Sequence, residues 1–68
     1  MKNTLRQILA HCAGTVTVTE PVKDAPADIT TFEVGKDMYG AMMDLPLDER
    51  VEYVIAIDDV LNIVMEEK

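Results

Sequence analysis

The residues best suited to chemistry are His11 and Cys12, which are adjacent and are the single histidine and the single cysteine of the chain. A thiol and an imidazole work as nucleophile and base only within hydrogen-bond reach of each other. Neighbouring side chains on a helix point about 100° apart, so these two do not pair within one chain. One His and one Cys are also too few for a structural metal site. We therefore predict that Cys12 is a core residue and that the protein is not an enzyme and has no catalytic residue, metal or cofactor.

Carboxylates are the other abundant reactive groups, with thirteen Asp and Glu against six Lys and Arg and a net charge of −7. Glu52, Asp59 and Glu66 recur at a spacing that places them on one line of a helix. With Asp48 and Glu49 they predict an acidic, partner-binding face. Such a line has the charge to enter a cationic groove built for phosphates, so one hypothesis is a DNA mimic, a phage-type inhibitor of a nucleic-acid-binding protein. The alternative is an ordinary solvated helix surface.

The same charge limits the partners. A strongly acidic surface disfavours direct binding to nucleic acid or to an anionic membrane, since both require cationic side chains. No apolar segment reaches the length of a transmembrane helix. A single cysteine in a chain with no recognisable signal peptide fits a reducing compartment, so we expect a cytoplasmic protein whose partner is another protein.

The length of 68 residues predicts a single small domain, 1–68, near the lower limit for an independent core. Chains of this size often need disulfides, a metal or oligomerisation, and here oligomerisation remains. We therefore predict a homodimer. Met38, Met42, Val16 and Val18 are the predicted apolar contacts with the partner or with the second subunit.

The N-terminal third gives the clearest local signals. Thr4 and Gln7 have the spacing of a capping box, and an apolar stripe follows, which together predict a short helix from about Thr4 to Ala13. Thr15–Glu20 alternates polar and apolar residues and is rich in β-branched side chains, as in a strand. Its pairing partner is the same segment of a second copy, a strand of another protein, or Ile29–Val34 of this chain.

The C-terminal part favours two helices. Thr30 and Glu33 match a second capping box, and the helix that follows should end near Asp44, because the residue before Pro46 is disfavoured in helical conformation. A longer helix is predicted from Asp48 to about Glu66. The short connection between the two makes them antiparallel neighbours.

The predicted fold is thus mainly α: an antiparallel helix pair, or helical hairpin, with a short N-terminal helix and one strand or β-hairpin. An α+β domain is the alternative, because Ile29–Val34 and Val51–Asp58 are rich in residues that favour strands. The predicted function is a small acidic, non-enzymatic protein-binding module, an adaptor or inhibitor. A small subunit of an enzyme is a further alternative.

Overall fold

The computed structural model describes residues 3–35 and 45–67. In that part of the chain, one mixed four-stranded sheet has the strand order β2, β1, β4, β3. Strand β1 is antiparallel to β2 and parallel to β4, and β4 is antiparallel to β3. The elements in chain order are helix α1 (Leu5–Leu9) and strands β1 (Gly14–Val22), β2 (Ala25–Val34), β3 (Val51–Ile57) and β4 (Val60–Met65).

The prediction of a mainly α fold is wrong, and the long helix from Asp48 to Glu66 is the largest error. This region forms the β3–β4 hairpin, which turns at Asp58 and Asp59. Both aspartates have positive φ, 49° and 65°, as a two-residue type I′ turn requires. Apolar residues fill so many positions of β3 that a helical repeat fits by chance, while its β-branched and aromatic content favours a strand.

The second predicted helix is also wrong where the structure describes it. Thr30 and Glu33 lie in β2, so they do not form a capping box, and the helical hairpin is not present in the described residues. Pairing with β1 places Phe32 opposite Val16, which buries both side chains and stabilises the strand. The remainder of that predicted helix, including Met38 and Met42, lies outside the described residues.

Other predictions agree with the structure. The strand at Thr15–Glu20 is confirmed as part of β1, and the strands of the α+β alternative are present as β2 and β3. Strand β1 has neighbours of its own chain on both sides, so it needs no strand from a second copy. The unpaired strand that helped to motivate the homodimer is therefore absent.

Helix α1 is confirmed, although it is shorter than predicted. Thr4 Oγ1 accepts a hydrogen bond from the Gln7 backbone N–H at 3.3 Å, and Gln7 Oε1 accepts one from the Thr4 N–H at 2.9 Å. This reciprocal pair is the predicted capping box. Leu5 and Leu9 are buried against one face of the sheet. The core cluster consists of Leu5, Leu9, Val16, Val18, Phe32, Leu45, Val51, Ile63 and Met65.

Candidate functional site

The sheet face opposite α1, which we call the open face, is the candidate functional surface. Ile63 is fully buried on the α1 side and pairs with Val54, so the next pair along the hairpin, Ile55 and Asn62, points to the open face. In β1, Thr17 follows buried Val16 and therefore also points there. Among residues 3–35 and 45–67, the buried side chains belong to one core cluster, which lies on the α1 side.

Hydrogen bonds agree with this assignment. The hydroxyls of Thr17 and Thr31 are 3.1 Å apart across the β1–β2 pair, so both side chains lie on the same face. On β4, Asn62 Nδ2 donates to the carbonyl oxygen of Val60, two residues earlier in the same strand, at 3.2 Å. By register, the open face carries three rows of four side chains: Glu33, Thr15, Val60 and Ile57; Thr31, Thr17, Asn62 and Ile55; Ile29, Thr19, Val64 and Tyr53.

The rows differ in polarity between the two halves of the sheet. The β1–β2 half is mostly threonine, whereas the β3–β4 half is apolar apart from Asn62. On β3, Tyr53, Ile55 and Ile57 are 55%, 48% and 51% exposed. Val60 and Val64 of β4 are half-buried beside them. We define the open-face patch as these five residues. Contiguous apolar surface of this kind is unusual on an isolated soluble domain and typically marks a contact surface.

Acidic residues stand at both ends of the open-face patch. Asp58 and Asp59 form the turn beside Ile57 and Val60, and both are exposed. Glu66 and exposed Glu67 follow β4 at the other end, beyond Val64. In this molecule the negative charge therefore borders the apolar surface, while Glu33 is the one charged residue among the twelve open-face positions.

The predicted acidic line does not exist as a line, because the helix that would align it is absent. Glu52 is exposed on β3, Asp59 lies in the turn at one end of the hairpin, and Glu66 lies at the other end. Asp48 and Glu49 precede β3, where they share a shallow cleft of about 250 Å³ with Glu66. Arg50 and Glu67 complete its lining. The structure thus brings together three of the five predicted acidic residues and separates the other two.

A cation lies next to this acidic cleft. Arg6 of α1 forms an ion pair with Asp48 at 3.2 Å, and both side chains are mostly exposed. Backbone bonds join the same regions, because the Arg6 N–H donates to the Leu47 carbonyl and the Leu5 N–H to the Glu49 carbonyl. The ion pair therefore helps to orient α1, although an exposed pair of this kind contributes at most about 1 kcal/mol.

His11 and Cys12 lie beside an open cleft of about 420 Å³ that is also lined by Asn3, Gln7 and Ile8. The Cys12 Sγ donates to the Ile8 carbonyl oxygen at 3.0 Å, and burial raises the pKa of the thiol. Both effects favour the protonated thiol, whereas a nucleophilic cysteine needs a lowered pKa. Cys12 packs against the core cluster, as predicted.

Within residues 3–35 and 45–67, no three His, Cys, Asp or Glu side chains lie close enough together to hold a metal ion. No helix of that same part of the chain is long and apolar enough to cross a membrane.

The predicted apolar contacts have a different position from the one expected. Val16 and Val18 are fully buried under α1, so they support the sheet and present no surface to a partner. Met38 and Met42 lie outside the described residues. In the described residues, the exposed large apolar side chains are instead Val22, Ile29, Tyr53, Val54, Ile55 and Ile57. Tyr53, Ile55 and Ile57 share one face of β3, but the apolar Val54 and Ala56 between them mask this alternation in the sequence.

These features define a small mixed β-sheet protein with a helix on one face and an apolar patch on the other. No protein-family model, curated protein or solved structure matches this chain. The open face and its acidic borders are therefore the observations from which function is inferred.

Proposed function

We propose that the protein is a non-enzymatic protein-binding module, an adaptor or inhibitor, and that the open-face patch is its contact surface. The supporting observation is that Tyr53, Ile55 and Ile57 of β3 are each about half exposed. They lie on a face of the sheet where none of the described side chains is buried. Removing such side chains from water contributes roughly 25 cal/mol per Å² of apolar area. A partner that covers the patch gains this free energy without any change in the fold.

The module acts in the cytoplasm. A lone cysteine that is partly buried and protonated fits a reducing compartment, where thiols are not paired.

Affinity capture with matched variants tests the contact surface. Wild-type protein, Ile55→Lys and Ala10→Lys are immobilised, and lysate from the source cell is passed over each at low and high salt. Both variants add one positive charge at an exposed or half-exposed position, but Ala10 ends α1 on the opposite side of the sheet. The proposal expects a partner that wild type and Ala10→Lys retain and Ile55→Lys loses. Equal capture by all three proteins would rule out the open face as the contact surface.

Nucleic-acid mimicry is the second candidate, supported by the acidic cleft at Asp48, Glu49 and Glu67 rather than by the helical line. It expects a nucleic-acid-binding partner that is released by high salt and displaced by added DNA. The double variant Glu49→Gln/Glu67→Gln should then lose the partner while Ile55→Lys keeps it. The reverse pattern would exclude mimicry and support the open face.

The homodimer remains a prediction that sedimentation equilibrium tests directly. The acidic borders of the patch oppose direct stacking of two copies, because like charges of the two chains would be brought close together. A dimer that Ile55→Lys dissociates would show that the open face is the self-association surface.

A further inference from the structure

We propose that the occupant of the open-face patch is an amphipathic helix of a partner protein that carries an apolar stripe with Lys or Arg at both ends. This inference rests on the proposed function and specifies the chemistry of the partner. It depends on three properties of the β3–β4 hairpin: the size of the patch, its uncharged centre and the position of the carboxylates around it.

The size of the patch fits one helix. Tyr53 and Ile57 are four residues apart on β3, so they span roughly 13 Å at about 3.3 Å per residue. The two strands β3 and β4 present a ribbon roughly 10 Å wide, given their spacing of about 4.8 Å and their side chains. An α-helix with its side chains is about 10 Å across, and nine residues of it are roughly 13 Å long. A stripe at i, i+3 or i+4, and i+7 therefore covers the rows of Tyr53, Ile55 and Ile57.

The centre of the patch excludes charge. Ile55 and its neighbour Asn62 occupy the middle row, flanked by apolar residues in both outer rows. A partner that places a charged group over this row buries it without an ion-pair partner, which is unfavourable. The contacting stripe of the partner is therefore apolar along about two and a half turns.

Charge complementarity selects a cationic partner. Asp58 and Asp59 border one end of the patch, and Glu66 and Glu67 follow β4 at the other end, where they share a cleft with Asp48, Glu49 and the cation Arg50. A bound helix therefore meets net negative charge beyond both ends of its apolar stripe. Lys or Arg of the partner helix at these positions is attracted to the carboxylates, whereas Asp or Glu is repelled by them. A second copy of this chain would add carboxylates to carboxylates and is disfavoured for the same reason.

A designed helix provides the test, because the protein contains no tryptophan. The probe is a fourteen-residue Leu/Lys peptide with one Trp in its apolar stripe and Lys at both ends. Two control peptides carry Glu in place of Lys, or the same residues in scrambled order. Binding is followed by the Trp fluorescence, and the contact surface is mapped by amide chemical shifts of the labelled protein.

The proposal expects the Leu/Lys helix to bind, with shifts at the patch residues and not on α1. Ile55→Lys and the milder Ile55→Thr should weaken binding, the former by at least about tenfold, while Ala10→Lys leaves it within about twofold. Asp58→Asn/Asp59→Asn should weaken it about threefold at low salt, because Asn keeps the turn conformation but removes both charges. Circular dichroism confirms that each variant is folded.

Any of four results would overturn the proposal, as would failure of the Leu/Lys helix to bind. The first is equal binding of the Glu peptide, and the second is equal binding of the scrambled peptide, which would reflect charge alone. The third is a dimer that Ile55→Lys dissociates. The fourth is a set of nuclear Overhauser contacts from the Met38 or Met42 methyl groups to Ile55, which would place residues 36–44 on the patch. If lysate capture depends on Ile55 but the Leu/Lys helix does not bind, the proposed protein-binding function is supported. The proposal of a helical, cationic partner is then wrong.

Discussion

The turn between β3 and β4 allows a test of the fold by a single substitution. Asp59 has a φ of 65°, in the left-handed region. This conformation costs a residue with a side chain about 1–2 kcal/mol, although Asp tolerates it better than most. Glycine has no such cost, but it makes the unfolded chain more flexible, which offsets about 0.4–1 kcal/mol. Asp59→Gly should therefore stabilise the protein by about 0.5 kcal/mol, or about 2–4 °C in Tm for a domain of this size.

Asp59→Asn is the matched control, since it removes the same charge and retains a residue that accepts positive φ. Thermal and urea unfolding of both variants are followed by circular dichroism. If residues 48–66 were helical, the glycine would lie in a helix interior and destabilise relative to Asp or Asn by about 0.3 kcal/mol. The sign of the difference therefore separates the two structures. A Tm for Asp59→Gly below that of Asp59→Asn would refute the hairpin.

Three further predictions concern the core, the cap and the thiol. Ile63 is fully buried, so Ile63→Ala should lower the free energy of unfolding by about 2–5 kcal/mol in urea titrations, whereas half-exposed Ile55→Ala should cost less than half as much. Thr4→Ala removes the capping box and should cost about 1 kcal/mol by the same measurement; no change would mean that α1 does not depend on its cap. Because burial raises the pKa of Cys12 in the folded state, its contribution to stability is fully present below the unfolded pKa and is lost as the pH rises through the folded pKa. Unfolding at increasing alkaline pH should show this loss in wild type and not in Cys12→Ala, and identical profiles would contradict it.

Local signals in the N-terminal third were sufficient to predict its structure. The capping box of Thr4 and Gln7 and the alternation of Thr15–Glu20 each depend on residues within a few positions, and both are present in the structure. The partner of β1 was not predictable from these signals. It was one of three possibilities because strand pairing is set by contacts between distant segments.

The prediction for the C-terminal half was wrong because its apolar pattern is compatible with both the helical and the strand repeat. Val51–Ile57 is apolar at almost every position, so a helical and a strand repeat both fit. The turn that decides between them is Asp58 and Asp59, which lack the glycine of the usual two-residue hairpin signal. The predicted acidic face is wrong because it depended on the predicted helix. Glu52, Asp59 and Glu66 have the spacing of one helical line but lie at separate positions on the hairpin. Tyr53, Ile55 and Ile57 fall on one face once a strand is assumed, but the apolar Val54 and Ala56 between them hide this face in the sequence.

The exposed edges of the sheet explain why contact by the open face is favoured over contact by strand addition. At the start of β3, the Val51 N–H donates to the Asn3 carbonyl at 2.9 Å, and Thr4 bridges Arg50, so this part of the edge is occupied by the chain itself. The hydrogen bond that closes the turn directs the backbone N–H and C=O of Ile57 toward β4. Because this direction alternates along a strand, the backbone groups of Val54 and Ala56 point away from β4, to the free edge. Two residues offer at most about four hydrogen bonds, each contributing roughly 0.5–1.5 kcal/mol, before the entropy of ordering a new strand is subtracted.

At the other edge, β2 contains Pro26, which has no N–H to donate, at the irregular end of its pairing with β1. The proline limits pairing with other chains at this end of β2, and the short free part of β3 limits it at the opposite edge. The apolar patch has no comparable protection, since Tyr53, Ile55 and Ile57 are each about half exposed. The surface of this protein that gains most from association is therefore a face of side chains, and the specificity of a partner follows from how its own side chains match the apolar rows and the acidic ends.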